Sequence, residues 1–311
     1  MKNRRNIPGY LSSIEYQGGR VGILLFHSLG GTPLEMRYLA QGLSRAGYTV
    51  HCPMLPGMTN GTDVLKLSTW EDWYEAAEAA FDKISETCDS VFVGGLSAGS
   101  MIALRLADRR SDEVAGHLVY SPTFWPNGWT IPWYFNFYRT VWQRWVAVLF
   151  NFKQREPYGI KDERLRKFMI EAFKAEGRDI GQFYQRHGLM VLQFRRLADA
   201  VKRNLHKLKA PTIIMHPRHD DQSDLSNALK MQRLLSGHVE TLILDDCYHM
   251  IPLDRQRDIV LERSLDFLDR QLVAQGLEKD RADQSGLTRD EVAESINDSE
   301  GEKAAKTVAA E

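Results

Sequence analysis

Residues 91–106 constrain the fold more than any other stretch of the chain. Val91-Phe92-Val93 is an apolar run suited to a buried strand, and Met101-Ile102-Ala103-Leu104-Arg105-Leu106 has the apolar pattern of a helix. Between them stands Gly95-Leu96-Ser97-Ala98-Gly99, a G-x-S-x-G pentapeptide. A strand that turns this sharply into a helix holds its serine in a strained backbone conformation, and glycines on both flanks let neighbouring chain segments approach. The hydroxyl then projects from the top of a sheet, and the helix N-terminus faces any oxyanion that develops there. Ser97 is therefore the candidate nucleophile.

The partners that such a serine requires follow in a fixed order. Pro211-Thr212-Ile213-Ile214-Met215-His216 reads as a buried strand and ends in Pro217-Arg218-His219-Asp220-Asp221. Val239-Glu240-Thr241-Leu242-Ile243-Leu244 reads as the next strand and is followed by Asp245-Asp246-Cys247-Tyr248-His249. A neutral serine is a poor nucleophile, so an imidazole must take its proton and a carboxylate must orient that imidazole. His249 is the candidate base and Asp220 the candidate acid; a one-residue change of loop register would put Asp221 in its place. Upstream, Val21 to His27 reads as a strand whose exit loop is Ser28-Leu29-Gly30-Gly31-Thr32-Pro33. Oxyanion holes beside such an elbow take one N–H from this kind of loop and one from the residue after the nucleophile, here Leu29 and Ala98. His27 is read as a brace for the loop rather than as a base. His216, His219, Asp220, Asp221 and Asp224 could suggest a metal site, but loop carboxylates just past a strand are also where the triad acid belongs, and no metal is assigned.

Together these segments resemble the α/β-hydrolases of the bacterial carboxylesterase and monoacylglycerol lipase type. The loop His27 to Pro33, the segment Pro53-Met54-Leu55-Pro56-Gly57-Met58, the pair Trp70-Glu71-Asp72-Trp73, the acid motif Arg218-His219-Asp220 and the histidine motif His249 to Asp254 each match a motif of that family. The resemblance covers about residues 20–110 and 210–270. Ser28 stands in place of a usual glycine, Met58 in place of a histidine, and Ser100 in place of a second glycine after the elbow. The resemblance implies a serine hydrolase of carboxylic esters that works without a cofactor.

The rest of the chain agrees. Apolar strands are expected near 21–27, 48–53, 90–96, 116–121, 211–216 and 239–245, with helices near 34–46, 70–86, 98–109, 225–236 and 255–273. Continuous apolar strands alternating with amphipathic helices imply a mostly parallel sheet covered on both faces, and the resemblance implies that this is an α/β-hydrolase fold with an inserted helical cap. The expected divisions are a core over 10–121 and 210–275, a cap over 122–209, and a mobile tail over 276–311, which is too polar to offset its ordering entropy. The formal net charge of −1 provides no global field to recruit nucleic acid or an anionic membrane. Cys52, Cys88 and Cys247 are too scattered for a disulfide framework. The basic N-terminal segment lacks an apolar stretch, and no run is apolar enough to span a bilayer, so a cytoplasmic location is expected.

The interval 122–209 holds five of the seven tryptophans, with Phe124, Trp125 and Trp129 at its start. These three are the candidate substrate-binding residues, lining an apolar acyl pocket. Two readings of the other rings stand: packing within the cap, or a peripheral membrane contact in which rings lie beside Arg139, Arg144 and Lys153. Basic residues of the later cap, including Arg186, Arg195 and Arg196, read as a solvated helix face. A thioesterase or acyltransferase with the same triad, or a catalytically silent lipid- or partner-binding fold, remain alternatives to ester hydrolysis. The oligomeric state is not legible.

Overall fold

A computed structural model describes residues 12–58, 68–175 and 185–277. The basic N-terminal segment and residues 278–311 of the expected tail lie outside them.

The strands are β1 (Ile14–Tyr16), β2 (Val21–Phe26), β3 (Thr49–Cys52), β4 (Ser90–Leu96), β5 (Val114–Tyr120), β6 (Asn151–Phe152), β7 (Arg186–His187), β8 (Thr212–Pro217) and β9 (Val239–Leu244). The helices are α1 (Arg37–Arg45), α2 (Trp70–Ser85), α3 (Ala98–Arg109), α4 (Arg144–Ala147), α5 (Glu163–Ala175), α6 (Gly188–Asn204), α7 (Ser226–Leu234) and α8 (Arg257–Ala274). One sheet runs in the order β1-β3-β2-β4-β5-β8-β9, and β6 pairs with β7 apart from it. Only β1, an edge strand absent from the sequence expectations, runs antiparallel in the large sheet.

Both faces of this sheet are covered, which explains why its strands are apolar throughout rather than alternating. Leu24 and Phe26, Val91 and Val93, Val119 and Ile214 point into one core with α2, α3, α6 and α7. Ile23 and Leu25, Phe92, Leu118 and Tyr120, Ile213 and Met215 point into the other with α1 and α8. Truncating any of these fully buried side chains to alanine is worth about 2–5 kcal/mol. Helix α2 starts where its sequence dictates: Asp72 N donates to Thr69 Oγ1 at 3.3 Å while Asp72 Oδ2 accepts from Thr69 N at 2.6 Å, a reciprocal cap. The three cysteines are buried and free.

Between β5 and α6 the alternation stops. Helix α4 ends at Ala147, and Phe150 and Phe152 fold back to pack edge-on against Tyr138 at 5.3 and 5.0 Å between ring centroids. Tyr138 and Phe152 share a separate small core with Trp125, Phe135, Leu189 and Leu192. Arg195, expected on a solvated face, is buried; it donates to the carbonyls of Tyr138, Arg139 and Val141 and fastens the aromatic segment. Helix α6 serves both bodies, turning Met190, Phe194 and Leu197 to the sheet and Leu189 and Leu192 to the cap rings. Among the described residues, no helix is long and apolar enough to cross a membrane.

Candidate active site

The loops that follow β2, β4, β8 and β9 meet at the carboxyl ends of the parallel strands, where sites in such sheets form. Ser97 sits between β4 and α3 with φ 57° and ψ −113°, a conformation rarely adopted outside glycine. Its N–H is tied to Tyr120 O at 2.8 Å, which helps to hold the strained turn. The flanking glycines are dictated by proximity: a Cβ on Gly95 would lie 2.5 Å from the Gly99 carbonyl carbon, and one on Gly99 would lie 2.1 Å from Phe26 O. The elbow is thus pressed against the exit of β2.

That exit carries the candidate oxyanion loop. His27 Nδ1 donates to Ser28 O at 3.0 Å, and Leu55 N donates to His27 Nε2 at 3.2 Å, so the ring is neutral with its proton on Nδ1. Burial pushes its pKa down to about 4, although the Ser28 carbonyl opposes this. Gly31 N adds a second bond to Ser28 O at 3.1 Å. In a trans peptide the C=O and N–H point in opposite directions, so anchoring Ser28 O aims the Leu29 N–H away from the brace. Leu29 and Ala98 line one pocket with Ser97 and His249, and neither N–H donates to another group among the described residues. His27 has the bracing role expected of it.

His249 is held from three sides. Its Nδ1 meets Asp220 Oδ2 at 2.7 Å, its N–H reaches Asp221 Oδ1 at 3.3 Å, and its carbonyl accepts from Ser121 Oγ at 2.8 Å. Asp220 Oδ1 accepts from the N–H groups of Gln222 and Ser223 at 2.7 and 2.8 Å. Burial opposes charge on Asp220, yet the His249 imidazole, its hydrogen bond, His216 and the Ser223 amide together hold the carboxyl below its ordinary value. Burial likewise opposes charge on His249, and the Asp220 carboxylate overcomes it, so the imidazole lies above its ordinary 6.5. The structure brings Asp220, not Asp221, to the imidazole. Asp221 instead bridges the His249 N–H and the Gly159 N–H, the latter at 2.9 Å. Burial first, then repulsion from Asp220, pushes its pKa up to about 6.

Ser97 Oγ faces Thr123 Oγ1 at 3.3 Å, and no hydrogen bond joins it to His249. Contacts of this kind commonly tighten only when a substrate is held. The pocket that both residues line has a volume of about 490 Å³, within the usual range for small-molecule sites.

The three cap residues expected to bind substrate are elsewhere. Phe124 packs into the sheet-side core, Trp125 stacks on Phe135 within the cap, and Trp129 is 59% exposed, with its indole N–H on His219 O and its ring against Tyr248. None of the three lines the pocket, whose apolar wall is made by Phe135, Phe150, Phe152, Val191 and Phe194. Aromatic density located the segment, but which rings face inward depends on the fold-back at Phe150, which leaves no local sequence signal.

The profile of the alpha/beta hydrolase family matches residues 23–263. The chain belongs to this family. It is 26% identical over 259 residues to a thermostable monoacylglycerol lipase of Bacillus sp. (strain H-257), covering 81% of this chain and 91% of that protein. It is 25% identical over 261 residues to a carboxylesterase of Bacillus subtilis (strain 168), covering 82% and 95%. Among solved structures, a metagenome-derived lipolytic enzyme superposes with a TM-score of 0.68 at 24% identity, over 84% of this chain and 98% of that one. A soluble variant of monoglyceride lipase from Saccharomyces cerevisiae gives 0.67 at 18% identity, over 83% and 90%.

At the three departures from the family's usual residues, two hydrogen bonds are made by the backbone and one, at Ser100, by the side chain. Ser28 N donates to Glu35 Oε2 at 3.0 Å, Met58 O accepts from Gly30 N at 2.6 Å, and Ser100 Oγ donates to Ser97 O at 2.5 Å. Glu35 was not legible as a site residue, although an acid on an otherwise apolar helical turn is the signal that could have found it. Its carboxyl is buried beneath the loop, and burial raises its pKa. Arg186, expected on a solvated face, turns inward and donates from Nε to Leu29 O at 3.0 Å.

Proposed function

We propose that this chain hydrolyses carboxylic esters with an apolar acyl chain through Ser97, His249 and Asp220. The observation that carries the reading is the 2.7 Å contact from Asp220 to His249, made where the imidazole opens onto the same pocket as the strained Ser97. His249 takes the Ser97 proton as Oγ attacks the ester carbonyl, and the N–H groups of Leu29 and Ala98 receive the oxyanion. The imidazolium then protonates the departing alcohol oxygen, leaving an acyl-serine. Water, deprotonated by His249, attacks the acyl carbon and releases the carboxylic acid. No step calls for a cofactor. The names of the two Bacillus relatives, a monoacylglycerol lipase and a carboxylesterase, support the same substrate class.

A peripheral contact with a lipid surface accompanies this reading. Trp133, Trp145 and Leu149 of the cap are 75%, 72% and 74% exposed, and Phe137 and Trp142 also face solvent. Rings of this kind near Arg144 suit a membrane interface, from which a lipid substrate would reach the pocket.

The test is hydrolysis of p-nitrophenyl esters from acetate to palmitate, with Ser97→Ala as control. The expected result is activity peaking at medium or long chains, with kcat lowered by about 10⁴–10⁶ in the variant. Wild-type-like turnover by Ser97→Ala would sink the assignment.

A further inference from the structure

The pocket beside Ser97 has two unlike sides. Besides the phenylalanines, the lining includes Arg186, Gln222, Gln154, Lys153 and Arg155, and no aspartate or glutamate lines the pocket among the described residues. Glu156, the next residue along the chain, turns away to pair with Arg166 at 3.0 Å and lines a separate cleft. Glu35 and Asp221 lie buried nearby, and burial pushes both toward their neutral forms.

Two glutamines orient the guanidinium on this side. Their Oε1 atoms are held by Arg186, Gln154 at 3.0 Å from Nη1 and Gln222 at 3.5 Å from Nη2. An amide whose oxygen faces a guanidinium must present its NH₂ elsewhere. Both Nε2 atoms are buried without a hydrogen-bond partner among the described residues, and Gln222 is only 6% exposed. Lys153 and Arg155 are exposed at the mouth.

This polar side adjoins the histidine. A Cβ on Gly159 would lie 2.8 Å from Gln222 Nε2 and 3.3 Å from His249 Cβ, so amide and imidazole flank the same glycine. His249 must return its proton to the leaving oxygen, which places the alcohol part of the ester on this side and the acyl chain along the phenylalanines. The geometry points to a leaving-group subsite, formed by Arg186, Gln222, Gln154, Lys153 and Arg155, that selects esters whose alcohol carries an anionic oxyacid, a phosphate or a carboxylate. The inference rests on the proposed ester hydrolysis and names its substrate class. The reaction is unchanged in balance: ester and water give the fatty acid and the alcohol with its anionic group intact.

The experiment compares kcat/KM within matched pairs, each below its micellar concentration. One pair is 1-lauroylglycerol 3-phosphate and 1-lauroylglycerol; the other is the lauroyl ester of 3-hydroxypropanoate and propyl laurate. The wild type is expected to prefer the charged member of at least one pair by about tenfold, and which pair does so identifies phosphate or carboxylate. The preference should shrink as salt is raised. Lys153→Glu with Arg155→Glu should bring the ratio to about one. Lys207→Glu with Lys209→Glu, an equal change of charge at the opposite end of β8, should leave the ratio in place. Equal turnover of both members by an enzyme that still cleaves p-nitrophenyl laurate would overturn the subsite alone. A preference that survives the Lys153 and Arg155 reversal would do the same. A protein inert toward p-nitrophenyl laurate as well would overturn the ester hydrolase reading and the subsite with it.

Discussion

Replacing Gly99 with alanine would place a methyl carbon 2.1 Å from Phe26 O and 2.6 Å from His27 O. Ordinary contact begins at 3.4 Å, so the two segments must separate by more than about 1 Å. Neither can yield harmlessly. Moving the exit of β2 carries His27, Ser28 and Leu29 with it, and moving the start of α3 carries Ser97 and Ala98. Either way the two candidate oxyanion N–H groups part from each other or from the nucleophile. A misplacement of about 1 Å near the reacting atoms can cost about 10²-fold in rate. Overpacking of this kind also destabilises by about 1–3 kcal/mol. The assay is steady-state hydrolysis of p-nitrophenyl butyrate, with urea denaturation and circular dichroism on the same preparation. The expected result is kcat down by about a hundredfold with KM little changed, because the pocket's phenylalanine wall is untouched. A folded Gly99→Ala enzyme with kcat within about threefold of wild type would refute the idea that the elbow and the β2 exit share one fixed geometry.

Two further outcomes follow from the same geometry. Because Asp220 raises the His249 pKa above 6.5 and the base must be neutral, kcat/KM should rise with pH through a midpoint above 6.5. Asp220→Asn removes the charge that favours the imidazolium, so the midpoint should fall along with kcat, and an unmoved midpoint would contradict the pairing. Trp133→Ser combined with Trp145→Ser, at cap positions 75% and 72% exposed, should weaken co-sedimentation with phosphatidylcholine and phosphatidylglycerol vesicles by about tenfold or more. Equal binding by the variant would count against a membrane role for these rings.

The legible parts of this molecule are those in which one residue type has a local reason to be there. Gly95 and Gly99 can be read because close backbone approach admits nothing larger, and the strands can be read because both their faces are buried. Ser97, Asp220 and His249 were nominated by their positions just past predicted strands, and the structure places Asp220 against His249 at 2.7 Å. Choosing between Asp220 and Asp221 needed loop register, since one carboxylate meets the His249 imidazole and the other its backbone N–H. The cap was illegible in detail for a related reason. Trp125, Phe135 and Phe152 are alike in sequence, and only the fold-back at Phe150 decides which of them faces the pocket. Arg186 and Arg195 looked like solvated charges, because their acceptors are distant in sequence: backbone carbonyls more than fifty residues from Arg195, and for Arg186 the Leu29 carbonyl and two glutamine side chains more than thirty residues away.

The bonds that tie cap to core have a consequence for anyone who would exchange caps between relatives. Gly159 donates to Asp221 and accepts from Met250 N at 2.9 Å, the N–H groups of Lys161 and Asp162 donate to Asp254, and Arg186 reaches Leu29 O. The inserted segment is therefore a scaffold for the three loops beneath it as well as a cover over the pocket. A transplanted cap of better shape but lacking an N–H where Gly159 supplies one would leave a buried Asp221 oxygen unmatched beside the histidine. In a chimera, that mismatch would appear first as slow chemistry, before any change in which acyl chain is accepted.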